Sequence, residues 1–518
     1  MKFSKKQHFI EELVADANQV NSRRSVENAH FSFVEPKNPS NPELIHVSDF
    51  RQELGISEEE TSSKEFLDIV AGNRIATNSK PYSMAYAGHQ FGNWAGQLGD
   101  GRAINLGEII HDDKSWVLQL KGAGETPFSR TADGLAVLRS SIREYLCSEA
   151  MFHLGIATTR ALSLVTTGDK VLRDVMYDGN PELEKGAIVC RVAPSFLRFG
   201  NYELFASRKD YKNLKLLVDF TLKNHFSHLG NPSKETYLAF FEEVCESTLE
   251  MVVNWQRVGF VHGVMNTDNM SILGLTIDYG PYGWLEGFDY GWTPNTTDRQ
   301  FKRYRYGNQP NICLWNLYQL ANALFPLIEE VEPLQKILNG FNSEFEKRSL
   351  EMMRSKLGLM ETLDSDKVLI NKLEENLQLA ETDMTIFFRK LSDFSVESSD
   401  GLGIIKESFY NAEALTDNFK SKWNEWFADY EGRLSLEKSS TQARKQLMDS
   451  VNPKYVLRNY MAQLAIDQAE KGNYDLLDEL YLLLKRPYDE QPENQKWFSK
   501  RPEWARNKVG CSMLSCSS

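Results

Sequence analysis

Between residues 135 and 154 the apolar side chains Leu138, Ile142, Tyr145, Leu146 and Ala150 return every three or four positions, with Asp133-Gly134 ahead and Gly155 behind. That spacing places them on one face of a helix, and the flanking residues supply its ends. The same periodicity predicts helices over 237–258, 314–325 (stopped by Pro326), 334–357 and 361–383. An acidic helix is expected around 57–70, after a loop marked by Pro36, Pro39 and Pro42. Strand-like runs are fewer and lie earlier. Residues 103–110 and 116–121, separated by His111-Asp-Asp-Lys114, read as a β-hairpin with glycines at its entrance and Lys121 at its end. A shorter hairpin is expected where Met270, Ile272 and Leu273, then Leu275 and Ile277, flank Gly274. From Lys212 helices dominate, so strands followed by helices define an α+β chain.

With 518 residues the chain has room for two or three domain-sized units or one large core. Its net charge of −13 argues against a general nucleic-acid binder, because such proteins present a basic face. One run departs from that balance: Arg299-Gln-Phe-Lys-Arg-Tyr-Arg-Tyr306 interleaves cations with aromatics, and reads as a structured loop lining a cleft, with acceptor binding as its function. The start of the chain is charged, and no stretch reaches membrane-spanning length, so a soluble, cytoplasmic protein without membrane partners is expected. Glu11, Glu12 and Asp16 do not suit a mitochondrial transit peptide, which points to a bacterial source. The six cysteines form no CxxC pair; Cys147, Cys190, Cys245 and Cys313 are expected to pack as small hydrophobes, and Cys511 and Cys516 to be exposed in a polar tail. The aromatics between Tyr279 and Trp292 are expected to pack loops against a core.

Chemistry enters with Asp268-Asn269 and Asp278. A carboxylate beside an amide, followed by a second carboxylate returned to the same cleft by a short turn, are the parts of a phosphate-transfer site of the protein-kinase type. Either aspartate could instead be an ordinary turn residue. The upstream order decides between these readings. Gly-Gln-Leu-Gly-Asp-Gly-Arg at 96–102 is a glycine-rich loop whose amides could approach phosphates, Lys121 supplies a fixed charge, and Glu144 on the next helix is the natural partner for that lysine.

These residues resemble the selenoprotein O family. The resemblance runs from Tyr-Ala-Gly-His-Gln-Phe-Gly at 86–92 to the closing Ser-Cys-Ser-Ser, and is most specific at 120–130, 132–141, 190–200 and Asn-Thr-Asp-Asn at 266–269. It implies a protein-kinase-like bilobal fold that transfers AMP from ATP to Ser, Thr or Tyr hydroxyls of proteins, with ATP reversed so that its α-phosphate faces the acceptor. It further implies that Gly99, Gly101, Arg102, Lys121, Asp133, Gly134, Arg191, Arg198 and Asp278 contact the nucleotide. Asn269 and Asp278 would hold Mg²⁺, or Mn²⁺ in its place, and Asp268 would be the general base. Arg191 and Arg198 suit the buried end of a triphosphate because guanidinium forks bind phosphate oxygens and stay charged. In the family the position of Cys516 carries cysteine or selenocysteine, which implies redox control. The expected organisation is an N-terminal extension (1–80), a sheet-containing nucleotide-binding lobe (81–210), a helical catalytic lobe (211–330) and a helical C-terminal region (331–518). A conventional ATP-dependent phosphotransferase and a silent nucleotide-binding module are the alternatives.

Overall fold

The computed structural model describes residues 1–396, 400–411 and 415–515. Its strands are β1 (Phe31–Phe33), β2 (Glu43–Val47), β3 (Tyr82–Met84), β4 (Ala87–Gln90), β5 (Asn93–Gln97), β6 (Ala103–His111), β7 (Lys114–Lys121), β8 (Ala136–Val137), β9 (Arg160–Arg173), β10 (Glu182–Ala193) and the separate antiparallel pair β11 (Phe260–Val261) and β12 (Gly283–Trp284). An eight-stranded antiparallel sheet runs β1-β3-β6-β7-β10-β9-β2, with β8 beside β10, while β4 and β5 pair separately. The β6–β7 hairpin forms where expected. Asp112 and Asp113 both have positive φ (47° and 58°), the backbone a two-residue turn needs to match the twist of its strands.

Side chains alternate between the two faces of this sheet. Leu118, Leu120, Cys190 and Val192 point to the back, where they form a core with Phe50, Phe66 and Ile69 from the first 80 residues. That segment therefore builds sheet as well as covering it, through β1 and β2. Its expected acidic helix is two short ones, Glu58–Thr61 and Lys64–Val70, because Ser57 and Ser63 each accept from a backbone N–H and start a separate helix. The front face carries Gln119, Lys121 and Arg191, with Arg191 paired to Gln119 and Val189 to Lys121 across the β7–β10 ladder. The helix Leu138–His153 packs on this front face and buries Leu138, Ile142, Tyr145 and Leu146.

Helices make up the rest. Lys234–Val258 ends at Gly259 in the left-handed conformation and leads into the loops of the site. Pro326 does not stop its helix, which runs Gln309–Ile328. Pro326 removes one rung of the hydrogen-bond ladder, yet the helix closes its last turn past it, and the chain turns out at Glu329 (φ 61°). Val331–Lys356 and a shortened Asp366–Leu377 follow. A separate aromatic core around Phe387, Trp423, Trp426 and Tyr430 holds the C-terminal helices. Buried Arg458 ties them to the centre, donating to both Asp383 oxygens at 2.8 Å and to Glu286.

Candidate functional site

A cavity of about 780 Å³ lies between the front of the sheet and the loops after Val258. Asp268 and Asn269 sit in the single turn Thr267–Asn269. The expected strand pair around Gly274 does not form. Gly274 N–H does close a turn onto Ser271 O (3.2 Å), but Ser271 bridges to Arg198 and Thr276 to Thr158, so each flank finds its partner outside the pair. The chain nevertheless returns Asp278 to the cavity beside Asp268. His262 links the two loops, its Nε2 donating to Ile277 O at 2.8 Å.

The front of the sheet supplies positive charge. Lys121 Nζ lies 2.5 Å from Glu144 Oε2 and 3.8 Å from Asp278 Oδ1. Glu144, expected as the partner of Lys121, is 2% exposed and also accepts from Arg191 Nη1 at 2.9 Å; it stands behind the cavity wall. Arg191 further donates to Asp278 and to Gln119, and Arg198 Nη1 donates to Asp278 Oδ2 at 2.5 Å and to the Asp268 carbonyl at 2.8 Å. Arg198 lies over the ring of Tyr86 (4.6 Å) and within 4.0 Å of buried Asp100. Two guanidinium nitrogens, Arg191 Nε and Arg198 Nη2, are buried with no hydrogen-bond partner. A buried N–H without an acceptor costs about 1–3 kcal/mol, so these two nitrogens add to the charge that the site has to compensate.

The two aspartates live in opposite surroundings. Burial would push Asp278 up, but Arg198, Arg191 and Lys121 outweigh it and hold its carboxyl well below the usual range. Its backbone adopts φ 59°, rare for a residue with a side chain. Burial pushes Asp268 up to about 7, opposed by one side-chain hydrogen bond, from Gln90 Nε2 to Oδ2 at 3.2 Å. Its Oδ1 is buried and unpartnered. Burial likewise lowers Lys121 to about 8, so it stays mostly protonated at neutral pH.

The turn between β4 and β5 docks on this loop. His89 N–H donates to Thr267 Oγ1 (2.7 Å) and Phe91 N–H to Asn266 Oδ1 (3.2 Å) and Tyr304 Oη (2.9 Å). Asn269 Nδ2 donates to Val264 O at 2.9 Å, which leaves Oδ1 as the atom it can offer a ligand. Gly99 and Gly101 curve around the Phe128 loop; Gly99 has φ 99°, and a Cβ on Gly101 would meet Phe128 O at 2.8 Å. Gly134 (φ 70°) packs on the carbonyl of Gly124. Asp133 lines the cavity but is engaged by Arg173 of β9 at 2.8 Å and by Leu135 N–H at 3.0 Å, a clamp on the turn that carries Gly134. Arg102 reaches the same space.

Gln90, Asp100, Gln119, Tyr86 and His262 are site residues that the motifs did not single out. Only the register of β7 against β10 could have found Gln119. Cys511 corrects an expectation: it is 4% exposed, because Asn459 Nδ2 holds its carbonyl at 2.8 Å and the tail folds back on the loop at Pro294 and Thr296. Burial pushes its thiol up to about 11. Cys516 lies outside the described residues. Cys147, Cys190, Cys245 and Cys313 are buried, and Tyr279, Tyr282, Trp284 and Phe288 pack into cores as expected.

An antiparallel sheet with buried cations forms one wall of this cavity, and two loop aspartates in opposite electrostatic surroundings form the other. The chain belongs to the family described as protein adenylyltransferase SelO, whose model matches residues 15–485. It is 59% identical over 515 residues to the protein nucleotidyltransferase YdiU of Flavobacterium johnsoniae, covering 98% of each chain. It is 55% identical over 530 residues to the protein of that name from Rhodopirellula baltica and 52% over 517 residues to that from Aromatoleum aromaticum, again covering 98% of each.

Proposed function

We propose that this chain is a protein adenylyltransferase that moves AMP from ATP to side-chain hydroxyls of proteins, in a kinase-like cleft where ATP lies with its β- and γ-phosphates innermost. The observation that carries the reading is the cluster of Arg191, Arg198 and Lys121 around Asp278 on the cavity wall. They suit the part of the triphosphate that leaves as pyrophosphate. With that end held by Arg191, Arg198 and Lys121, the α-phosphate faces Asp268. The acceptor oxygen bonds to the α-phosphorus, the bond from that phosphorus to the bridging oxygen breaks, and pyrophosphate keeps the electron pair. The hydroxyl proton passes to Asp268, whose raised pKa makes it an acceptor matched to neutral pH.

The donor set also fits Mg²⁺. Among the described residues no three His, Cys, Asp or Glu converge on a closed metal cage. Asp278 and the amide oxygen of Asn269 face the cavity, and Mg²⁺ characteristically takes one or two protein oxygens together with phosphates and water. When bound there the ion would neutralise phosphate charge. Protein acceptors and ATP are the proposed partners. Among the described residues no helix is long and apolar enough to cross a membrane.

Incubation with Mg²⁺, an acceptor protein and ATP labelled on either the α- or the γ-phosphate tests the proposal, with Asp278→Ala as control. Covalent α-label lost in the variant supports it; γ-label alone makes the chain a kinase, and no label with ATP still bound makes it a silent module.

A further inference from the structure

The basic run at 299–306 is a folded loop. Tyr304 is buried, and its hydroxyl donates to Asn266 Oδ1 at 2.6 Å, two residues from Asp268. Phe91 and Asn266, which Tyr304 joins, are themselves walls of the cavity. The Arg303 guanidinium stacks 4.7 Å from the Trp315 ring and lies against Gly92, next but one to the Gln90 that holds Asp268. The loop is thus anchored at the acceptor end of the cleft.

Its charge is only partly balanced from within, by Asp298, which Arg303 and Arg305 stabilise. Arg299, Lys302, Arg303 and Arg305 fall within seven residues of a chain whose net charge is −13. The one carboxylate among them, Asp298, is buried and accepts from the backbone N–H groups of Arg303 (2.9 Å) and Tyr304 (2.7 Å). Among the described residues none of the four cations forms an ion pair at 4.0 Å, whereas most other surface arginines of the chain have a carboxylate at hand. Phe301, in the middle of the run, is 79% exposed. A solvated cationic face would explain the charge, but not an exposed phenylalanine beside a buried tether to the catalytic loop.

We infer that this loop is the docking surface for the acceptor protein, and that it selects hydroxyl side chains flanked by acidic residues with an apolar neighbour. This rests on the adenylyl-transfer reading and names the substrate class of that site. An acidic segment supplies the carboxylates that the four cations lack and gives Phe301 an apolar contact. It also overcomes the repulsion that an acidic acceptor would meet elsewhere on this chain, since local complementarity governs encounter more than net charge.

The test uses the full chain, α-labelled ATP and two peptides, each with one Ser, one Thr and one Tyr, flanked by Glu and Leu in one and by Lys and Leu in the other. The expected result is a kcat/KM for the Glu peptide on the order of tenfold higher, shrinking as salt rises. R299Q/K302Q/R305Q should erase the preference and R299E/K302E/R305E invert it, with KM for ATP unchanged in both as proof that the cleft is intact. Equal labelling of the two peptides, while a generic acceptor protein is labelled well, overturns this inference alone. So does a preference that survives charge reversal. No α-label on any acceptor overturns the transfer reading and this one with it.

Discussion

At the scale of single residues, Asp268 and Asp278 show one chemical group set to two tasks by its neighbours. Asp278 is ringed by Arg191, Arg198 and Lys121, and truncating it leaves those cations uncompensated; Asp278→Ala should abolish α-label transfer nearly completely. Asp268→Ala should cause a graded loss, since positioning dominates phosphoryl-type transfer; two wild-type-like rates would sink both assignments. With Asp268 proposed as the proton acceptor in its carboxylate form and Lys121 as a phosphate-holding cation, kcat/KM should climb as pH rises through about 7 and fall again as Lys121 loses its proton above about 8. The Gln90 hydrogen bond favours that charged form, so Gln90→Ala should move the acidic limb to higher pH while leaving KM for ATP in place. A limb that does not move would show that Gln90 does no more than pack. That Lys121, Glu144, Asp268 and Asp278 would come together was legible in the chain, because residue type and order are local signals. Gln90 and Asp100 were not, because a lone amide or acid in a turn acquires meaning only from what it faces.

Among elements, the decisive fact is register. Pairing Arg191 with Gln119 and Val189 with Lys121 puts an arginine, a glutamine and a lysine from two distant strands on one face, a consequence of the two-residue period that periodicity in either strand alone does not contain. The β6–β7 hairpin and the Leu138–His153 helix could be read directly, since apolar spacing and turn residues are local signals. The stretch around Gly274 misled because apolar residues flanking a glycine look alike whether they pair with each other or, as here, with Arg198 and Thr158. Pro326 misled for a related reason: a proline removes one helical bond, and whether the helix ends there is decided by the packing of the residues around it. Gly134 is the most exacting position of the glycine turns, with positive φ and a carbonyl against its Cα. Gly134→Val should cost on the order of 1–3 kcal/mol, seen as a lowered melting temperature, and should also weaken protection by ATP; an unchanged melt would mean that the turn yields freely.

In the molecule as a whole, the C-terminal helices pack on the Leu138–His153 helix and are tied to the loops after Val258 by a buried cation. Arg458 joins Asp383, which caps the Met384–Leu391 helix, to Glu286, two residues beyond the short strand Gly283–Trp284. Arg458→Met strands two buried carboxylates, and a loss of about 3–5 kcal/mol is expected in chemical denaturation; a smaller cost than a surface substitution would refute that role. The sheet and the helices are also fastened to each other directly. His89, Gln90 and Phe91 bond to residues 266–268, Asn201 Nδ2 donates to Ala85 O at 2.9 Å, and Arg143 Nη2 to Tyr282 O at 2.9 Å. A molecule riveted across its cleft at so many points behaves as a lock and not as a jaw. Its radius of gyration in solution scattering should be the same with and without a nucleotide analogue, and the entropy lost on binding should be that of the ligand far more than of the chain.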